Sequence, residues 1–317
     1  MQDLGTVLNE FMKRYPAMTE GATAKTLESI QADPDIQAFW KEHQNELKTD
    51  ALVVSMMDLF EFIREKKREE DSKKALYPGY RPTLVVEKGY PHVAYEPTEK
   101  TIKQMKQKEL LTAFAVPKAV QKADLDEIMK ESANDAGRAS ALTAVVATFT
   151  GLVEKKKQKD GRFVPGVYLS GDFGVGKTYL MGALANALAY NEIPVMMVHW
   201  ASMIEQLKST FNKKNDVSLE TTVNQMKQAP VLIIDDIGAD ALSAWSRDAI
   251  LAVILEYRMQ HELTTCFTSN FDLASLEQYL AQTKDGNEPG KAARLMQRVL
   301  FLSESVNMSG ENRRLQR

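Results

Sequence analysis

Eight consecutive residues set the frame for this chain: Gly171-Asp172-Phe173-Gly174-Val175-Gly176-Lys177-Thr178. They satisfy every fixed position of the phosphate-loop pattern G-x-x-x-x-G-K-[ST]. The flanks agree with it. Gly166-Val167-Tyr168-Leu169-Ser170 reads as a short apolar strand, and the Ala/Leu-rich run Tyr179–Leu188 has the spacing of a buried helix. Strand, glycine loop and helix together turn consecutive backbone N–H groups towards an anion at a helix N-terminus. Gly171, Gly174 and Gly176 let the backbone approach phosphate with no Cβ in the way. Lys177 is expected to bring a cation to the β- and γ-phosphates of a nucleotide, and Thr178 a hydroxyl to Mg²⁺.

The residues that follow alternate as such a loop requires. Val195–Trp200, Pro230–Asp236 and Thr264–Asn270 read as further strands, separated by helical patterns, which implies an α/β fold whose parallel sheet is flanked by helices on both faces. Asp235 and Asp236 directly follow four apolar residues, so both carboxylates fall at the C-terminal edge of the sheet, beside the loop. Asp235 is expected to hold Mg²⁺ with Thr178, and Asp236 to orient or activate the attacking water. Asn270 ends the next strand, where an amide can hydrogen-bond that water or the γ-phosphate. Arg294, Arg298, Arg313 and Arg314 come later; arginine suits phosphate charge, including charge supplied by a neighbouring subunit. His199, at a strand end, reads as structural, and Cys266, in an apolar run, as a small core residue.

Residues 1–105 form a smaller, mainly helical domain in this reading. Leu4, Val7, Leu8 and Phe11 recur at helical spacing; Asp33-Pro34 marks a helix start with Ile36, Phe39 and Trp40 on one face; Leu52, Met56, Leu59, Phe60 and Ile63 make a third stripe. Thr83–Glu87 and His92–Glu96 flank Lys88-Gly89-Tyr90-Pro91 as a β-hairpin. His92 has no cysteine or second histidine nearby for a metal site. Residues 106–135, opening lysine-rich, read as a linker, and 136–317 as the second domain.

A chain of 317 residues is long enough for two such domains. Its net charge is −3, so a nucleic-acid partner needs a local basic patch rather than a global one. One cysteine excludes an intrachain disulfide and any multi-cysteine metal site. No apolar run has the length of a membrane span and Met1–Gly5 has no signal-peptide character, so no membrane partner is expected and the cytoplasm is the expected compartment.

The motifs in order resemble a known family. The phosphate loop, Asp235-Asp-Ile-Gly-Ala-Asp240, Trp245-Ser-Arg-Asp248, Phe267-Thr-Ser-Asn270, Ala292-Ala-Arg-Leu-Met-Gln-Arg298 and Gly310-Glu-Asn-Arg-Arg314 resemble those of the DnaI helicase loaders of low-GC Gram-positive bacteria. These are primosomal AAA+ ATPases related to the DnaC loaders. The resemblance runs over essentially the whole chain and includes Gly79-Tyr-Arg-Pro-Thr-Leu-Val-Val86. It implies an N-terminal domain that binds the replicative ring helicase and a P-loop AAA+ domain that binds ATP, Mg²⁺ and single-stranded DNA. It also implies other primosome partners, self-association, and ATP hydrolysis stimulated by assembly and single-stranded DNA. Matched by position, Asn270 is the family's sensor 1, Arg298 its finger arginine and Arg313 its sensor 2. Several members bind zinc through N-terminal cysteines; here Pro97-Thr98 stands where they have Cys-Pro, and zinc is doubtful. The alternative resemblance is to the IstB-type helper ATPases of transposition, whose core is similar and whose partner differs.

Overall fold

The computed structural model describes residues 4, 6, 13, 22–69, 75–131, 136–210, 217–239, 242–284 and 286–313. The sequence features at Val7, Leu8, Phe11, Asp240 and Arg314 lie outside them. Contacts divide the chain into two compact units, Met1–Gln104 and Met105–Arg317.

The first unit consists of helices α1 (Ala22–Ala32), α2 (Pro34–His43), α3 (Ala51–Val54) and α4 (Met56–Glu69), then a hairpin of β1 (Tyr80–Glu87) and β2 (Tyr90–Pro97). Helix α5 (Glu99–Leu110) leads out of it. Asp33 starts α2 as its N-cap, accepting from the N–H groups of Asp35 and Ile36 at 3.0 and 3.2 Å, with Pro34 in the first turn. The hairpin closes in two residues: Glu87 pairs with Tyr90, and Lys88 and Gly89 both take positive φ, at 54° and 87°. The strands are thus longer and the loop tighter than the sequence pattern suggested. Ile30, Ile36, Trp40, Leu52, Leu59, Phe62 and Ile63 build the core, with Leu84 and Val93 of the hairpin packed on it. Phe62, rather than Phe60, takes the buried place on α4.

In the second unit the expected linker is partly built into the fold. Leu111–Phe114 is a strand, β3, paired in parallel with Val195–Val198. Val116, Val120, Ala123, Leu125 and Ile128 enter the core, the last two on α6 (Leu125–Glu131). Asn186 Nδ2 also donates to Ala123 O at 2.8 Å. The polar, lysine-rich entry to this segment hid its short apolar anchors. The chain continues through α7 (Ala136–Gln158), β4 (Gly166–Ser170), α8 (Lys177–Tyr190), β5 (Val195–His199), α9 (Trp200–Thr210), α10 (Val217–Gln228) and β6 (Val231–Asp235). A π-helical stretch, Trp245–Leu251, runs into α11 (Ala252–Gln260), followed by β7 (Thr264–Thr268) and α12 (Leu273–Ala281). The short pair β8 (Gln282–Thr283) and β9 (Gly286–Asn287) precedes α13 (Pro289–Leu302) and β10 (Ser303–Asn307).

Six strands form one sheet in the order β10-β4-β7-β6-β5-β3, every neighbouring pair parallel. Side chains alternate between its faces. Val231, Ile233, Val195 and Met197 pack into one core with α7 and α8, while Leu232, Ile234, Met196 and Val198 pack into the other with α9, α11 and α13. Strands β5 and β6 are therefore apolar on both faces up to His199 and Asp235, and the polar residues that end β6 and β7 mark where the sheet meets its site.

Candidate nucleotide site

Three strand ends and one helix start converge at the C-terminal edge of the sheet. Strand β4 is buried along its length and hands over at Gly171 to the loop, which closes at Gly176, the residue before α8. Gly171 and Gly174 sit at φ 147° and 80°. A Cβ at Gly171 would strike the carbonyl of Met308, and one at Gly174 the side chain of Asn312, so both positions need glycine twice over. No side chain caps the N-terminus of α8, leaving its first N–H groups directed at the loop.

Lys177 is 7% exposed, and its ammonium donates to Gly171 O at 2.7 Å, Asp172 O at 2.8 Å and Asn270 Oδ1 at 2.9 Å. Asn270 is placed by the end of β7, and its Nδ2 donates to Asp236 Oδ1 at 3.2 Å. Asp235 is 2% exposed; one of its oxygens accepts from Thr178 Oγ1 at 2.8 Å and from Thr268 Oγ1 at 2.7 Å. Burial pushes the Asp235 carboxyl above its ordinary pKa, and the two hydroxyls pull against that. A buried carboxylate beside a threonine hydroxyl is a hard oxygen pair that fits Mg²⁺. Among the described residues no group of three or more His, Cys, Asp or Glu is set to hold a metal, so a cation here would complete its shell from phosphates and water.

Asp236 is the strained residue of the site, at φ 57°, in the left-handed region. Its N–H donates to Thr268 Oγ1 at 2.8 Å, and the N–H of Ile237 donates to Thr268 O at 2.9 Å, which together hold the turn. His199, expected as a structural residue, stands at the end of β5 with its Nε2 3.7 Å from Asp236 Oδ2, while Nδ1 meets Ser202 Oγ at 3.0 Å. The Asp236 carboxylate raises the histidine's pKa. Adjacent strands bring this pair together, and nothing local in sequence announces it. Cys266 matches its expectation, being fully buried, with its thiol pushed up to about 11 by burial.

The segment after β10, which carries the Gly310–Arg314 motif, returns to the site. Met308 N donates to Ser170 O at 2.8 Å and Arg313 N to Gly174 O at 3.1 Å, so residues 308–313 cross the phosphate loop. Arg313 is thus beside the loop through its backbone. The guanidinium of buried Arg138, on α7, lies beside Gly176. Arg298 is engaged elsewhere: Nη1 donates to Ala252 O at 2.9 Å and Nη2 pairs with Glu256 Oε2 at 2.6 Å, both on α11. Arg294 is exposed on α13.

Comparison with known proteins agrees with this architecture. Residues 1–95 match the family model of the primosomal protein DnaI N-terminus, and residues 152–317 that of the IstB-like ATP binding protein. The chain is 32% identical over 314 residues to the replicative helicase loader DnaI of Bacillus subtilis (strain 168), across 96% of this chain and 94% of that protein. It is 33% identical over 113 residues to the replicative helicase loader DnaC of Buchnera aphidicola subsp. Baizongia pistaciae, across 36% of this chain and 46% of that one. A crystal structure of DnaI superposes with a TM-score of 0.53 at 33% identity, covering 66% of this chain and 99% of that chain. With a DnaI-type N-terminal module, an IstB-like ATP-binding module after it and near-complete overlap with a known loader, the chain belongs to the DnaI family of replicative helicase loaders.

Proposed function

We propose that this protein loads a replicative ring helicase onto single-stranded DNA in the cytoplasm, during replication initiation or restart, and that ATP hydrolysis at the Lys177 site times the loading. One combination carries the reading: a single chain couples the DnaI-type N-terminal module to the hydrogen-bonded set Lys177, Thr178, Asp235, Asp236 and Asn270 at one sheet edge. Residues 1–105 then grip the helicase, and the module from 136 onwards binds ATP and single-stranded DNA.

In this mechanism the loop 171–178 wraps the phosphates and Lys177 neutralises the β- and γ-phosphates. Thr178 and Asp235 would hold Mg²⁺, which supplies further positive charge against the phosphates when bound. Asp236 orients the attacking water and takes its proton as the bond between γ-phosphorus and the bridging oxygen breaks and ADP leaves. Asn270 keeps Lys177 and Asp236 in register. Arg313 follows the phosphate loop from the C-terminal segment. Arg298 serves a neighbouring subunit's nucleotide, so turnover depends on self-association and on DNA.

Co-purification of the full chain with the host replicative helicase, together with phosphate release stimulated by single-stranded DNA, tests the reading. Absence of helicase binding with intact ATP turnover would favour the transposition-helper alternative, which the match of residues 152–317 to the IstB-like model keeps open.

A further inference from the structure

The turns that carry Asp236 and Asn270 leave the sheet after β6 and β7, and one buried hydroxyl bonds to both of them. Ser269 Oγ donates to Ile237 O at 2.6 Å and accepts from Phe271 N at 3.1 Å. It therefore ties the residue after Asp236 to the residue after Asn270. The N–H of Ser269 donates to Leu169 O at 2.9 Å, on β4 and two residues before the phosphate loop. Tyr168, the next residue back on β4, donates its hydroxyl to Phe271 O at 2.8 Å. The space between the turns is full: a Cβ on Gly238, at φ 100°, would come within 2.6 Å of the Phe271 ring. Burying a hydroxyl costs free energy unless its bonds are made, and here both are made to the backbone that carries the site.

We infer that Ser269 is a positioning residue for ATP hydrolysis, which sets the separation of Asp236 and Asn270 and acts only through them. The inference rests on the reading that these two residues act in hydrolysis. Asp236 holds a left-handed backbone at φ 57°, a conformation that persists only where its surroundings over-determine it. Thr268 holds one side of that turn, through the N–H groups of Asp236 and Ile237. Ser269 holds the other side through Ile237 O, so Ile237 is fixed at both its N–H and its carbonyl. The same oxygen takes Phe271 N, which pins Asn270 between two bonded neighbours. Loss of the hydroxyl leaves Ile237 O and Phe271 N without this partner, and the carboxylate and amide shift relative to each other. A shift of about 1 Å can cost about 10²-fold in rate. Phosphate binding by the loop and Lys177 does not pass through this hydroxyl, so affinity is spared.

Full-length Ser269→Ala tests this role. Phosphate release at saturating ATP is expected to fall about tenfold, with the nucleotide dissociation constant unchanged. Placed in an Asp236→Asn background, the same change should cost about twofold or less, because the carboxylate it positions is already gone. A purely structural role would instead cost the same factor in both backgrounds. Where Ser269→Ala does not fold, Ser269→Cys goes through the same two backgrounds; its weaker donor and acceptor should give a loss of about threefold. Wild-type turnover by the folded variant, a matching loss of nucleotide affinity, or full additivity with Asp236→Asn overturns the inference. Asp236→Asn alone separates the two failures. If it is slow while the Ser269 variant is wild-type, the hydrolysis reading stands without this role; if it turns over normally, the reading beneath has failed.

Discussion

Lys177 Nζ donates to Asn270 Oδ1 at 2.9 Å across 93 positions of sequence. The bond joins the cation of the phosphate loop to the end of β7, and the same amide passes on to Asp236. Asn270 thereby spans the phosphate side and the water side of the site. Asn270→Ala is expected to lower turnover about 10²-fold with a small effect on nucleotide affinity. Lys177→Ala should abolish turnover and greatly weaken binding. Phosphate release and nucleotide titration distinguish them; equal losses of affinity would reduce Asn270 to a support for Lys177.

Asp236→Asn is expected to bind ATP and hydrolyse it slowly. Asparagine accepts the left-handed backbone as readily as aspartate, so the turn at φ 57° should survive and thermal stability should not fall. His199→Ala, which removes the imidazole beside Asp236 Oδ2, should lower turnover more modestly. Wild-type hydrolysis by Asp236→Asn would remove Asp236 from the chemistry.

Arg298→Ala should leave ATP affinity nearly intact and cut turnover by about 10³-fold, because a finger acts on the transition state of another subunit's site. Mixed with Lys177→Ala it should regain activity: one chain supplies an intact loop and the other an intact arginine. No recovery in assemblies shown to be mixed would count against action in trans.

Arg258 is fully buried on α11, and burial pushes its pKa down to about 9. It donates to the carbonyls of Met226, Lys227 and Ala229 at the end of α10, and to Thr264 O and Thr265 Oγ1 at the start of β7. Arg258→Met would strand several of those acceptors, and a loss of about 3–5 kcal/mol is expected in urea unfolding. A loss under about 1 kcal/mol would show that water replaces the guanidinium at little cost.

Glu65 carries an acid dependence. It is 2% exposed, accepts from Leu76 N at 3.1 Å and pairs with Arg68 at 2.9 Å and Arg64 at 3.2 Å. Burial raises its pKa, and these partners more than offset that, leaving it below the ordinary value of 4.5. The sign follows from the depressed pKa: the stabilisation is present above 4.5 and is lost as pH falls through the lower folded value. Unfolding midpoints of wild type and Glu65→Gln are expected to differ at neutral pH and to converge in acid. A constant gap down to the acid limit would refute this.

What the sequence made legible was local or periodic. The phosphate loop is contiguous, and β6 announces Asp235 and Asp236 by its apolar run; both patterns survive without knowledge of neighbours. What escaped was set by topology. His199 meets Asp236 because β5 and β6 are adjacent, with His199 level with Asp235. The edge strand β10, Ser303-Glu304-Ser305-Val306-Asn307, is too polar for hydrophobic periodicity to find, since one face and one edge are open. Strand β3 has four residues, too few to set a period. The Gly310–Arg314 motif marked this segment by resemblance, but its path across the loop is set by the backbone bonds of Met308 and Arg313, which periodicity does not show.

Strand β4 holds the phosphate loop between two strands made much later, β7 from Thr264 and β10 from Ser303. On the ribosome the loop therefore emerges with both strand edges unpaired, and it cannot settle until residues near Met308 have cleared the exit tunnel. A chain cut before Ser303 lacks one of the two partners of β4, so added ATP is expected to stabilise only chains that reach Met308.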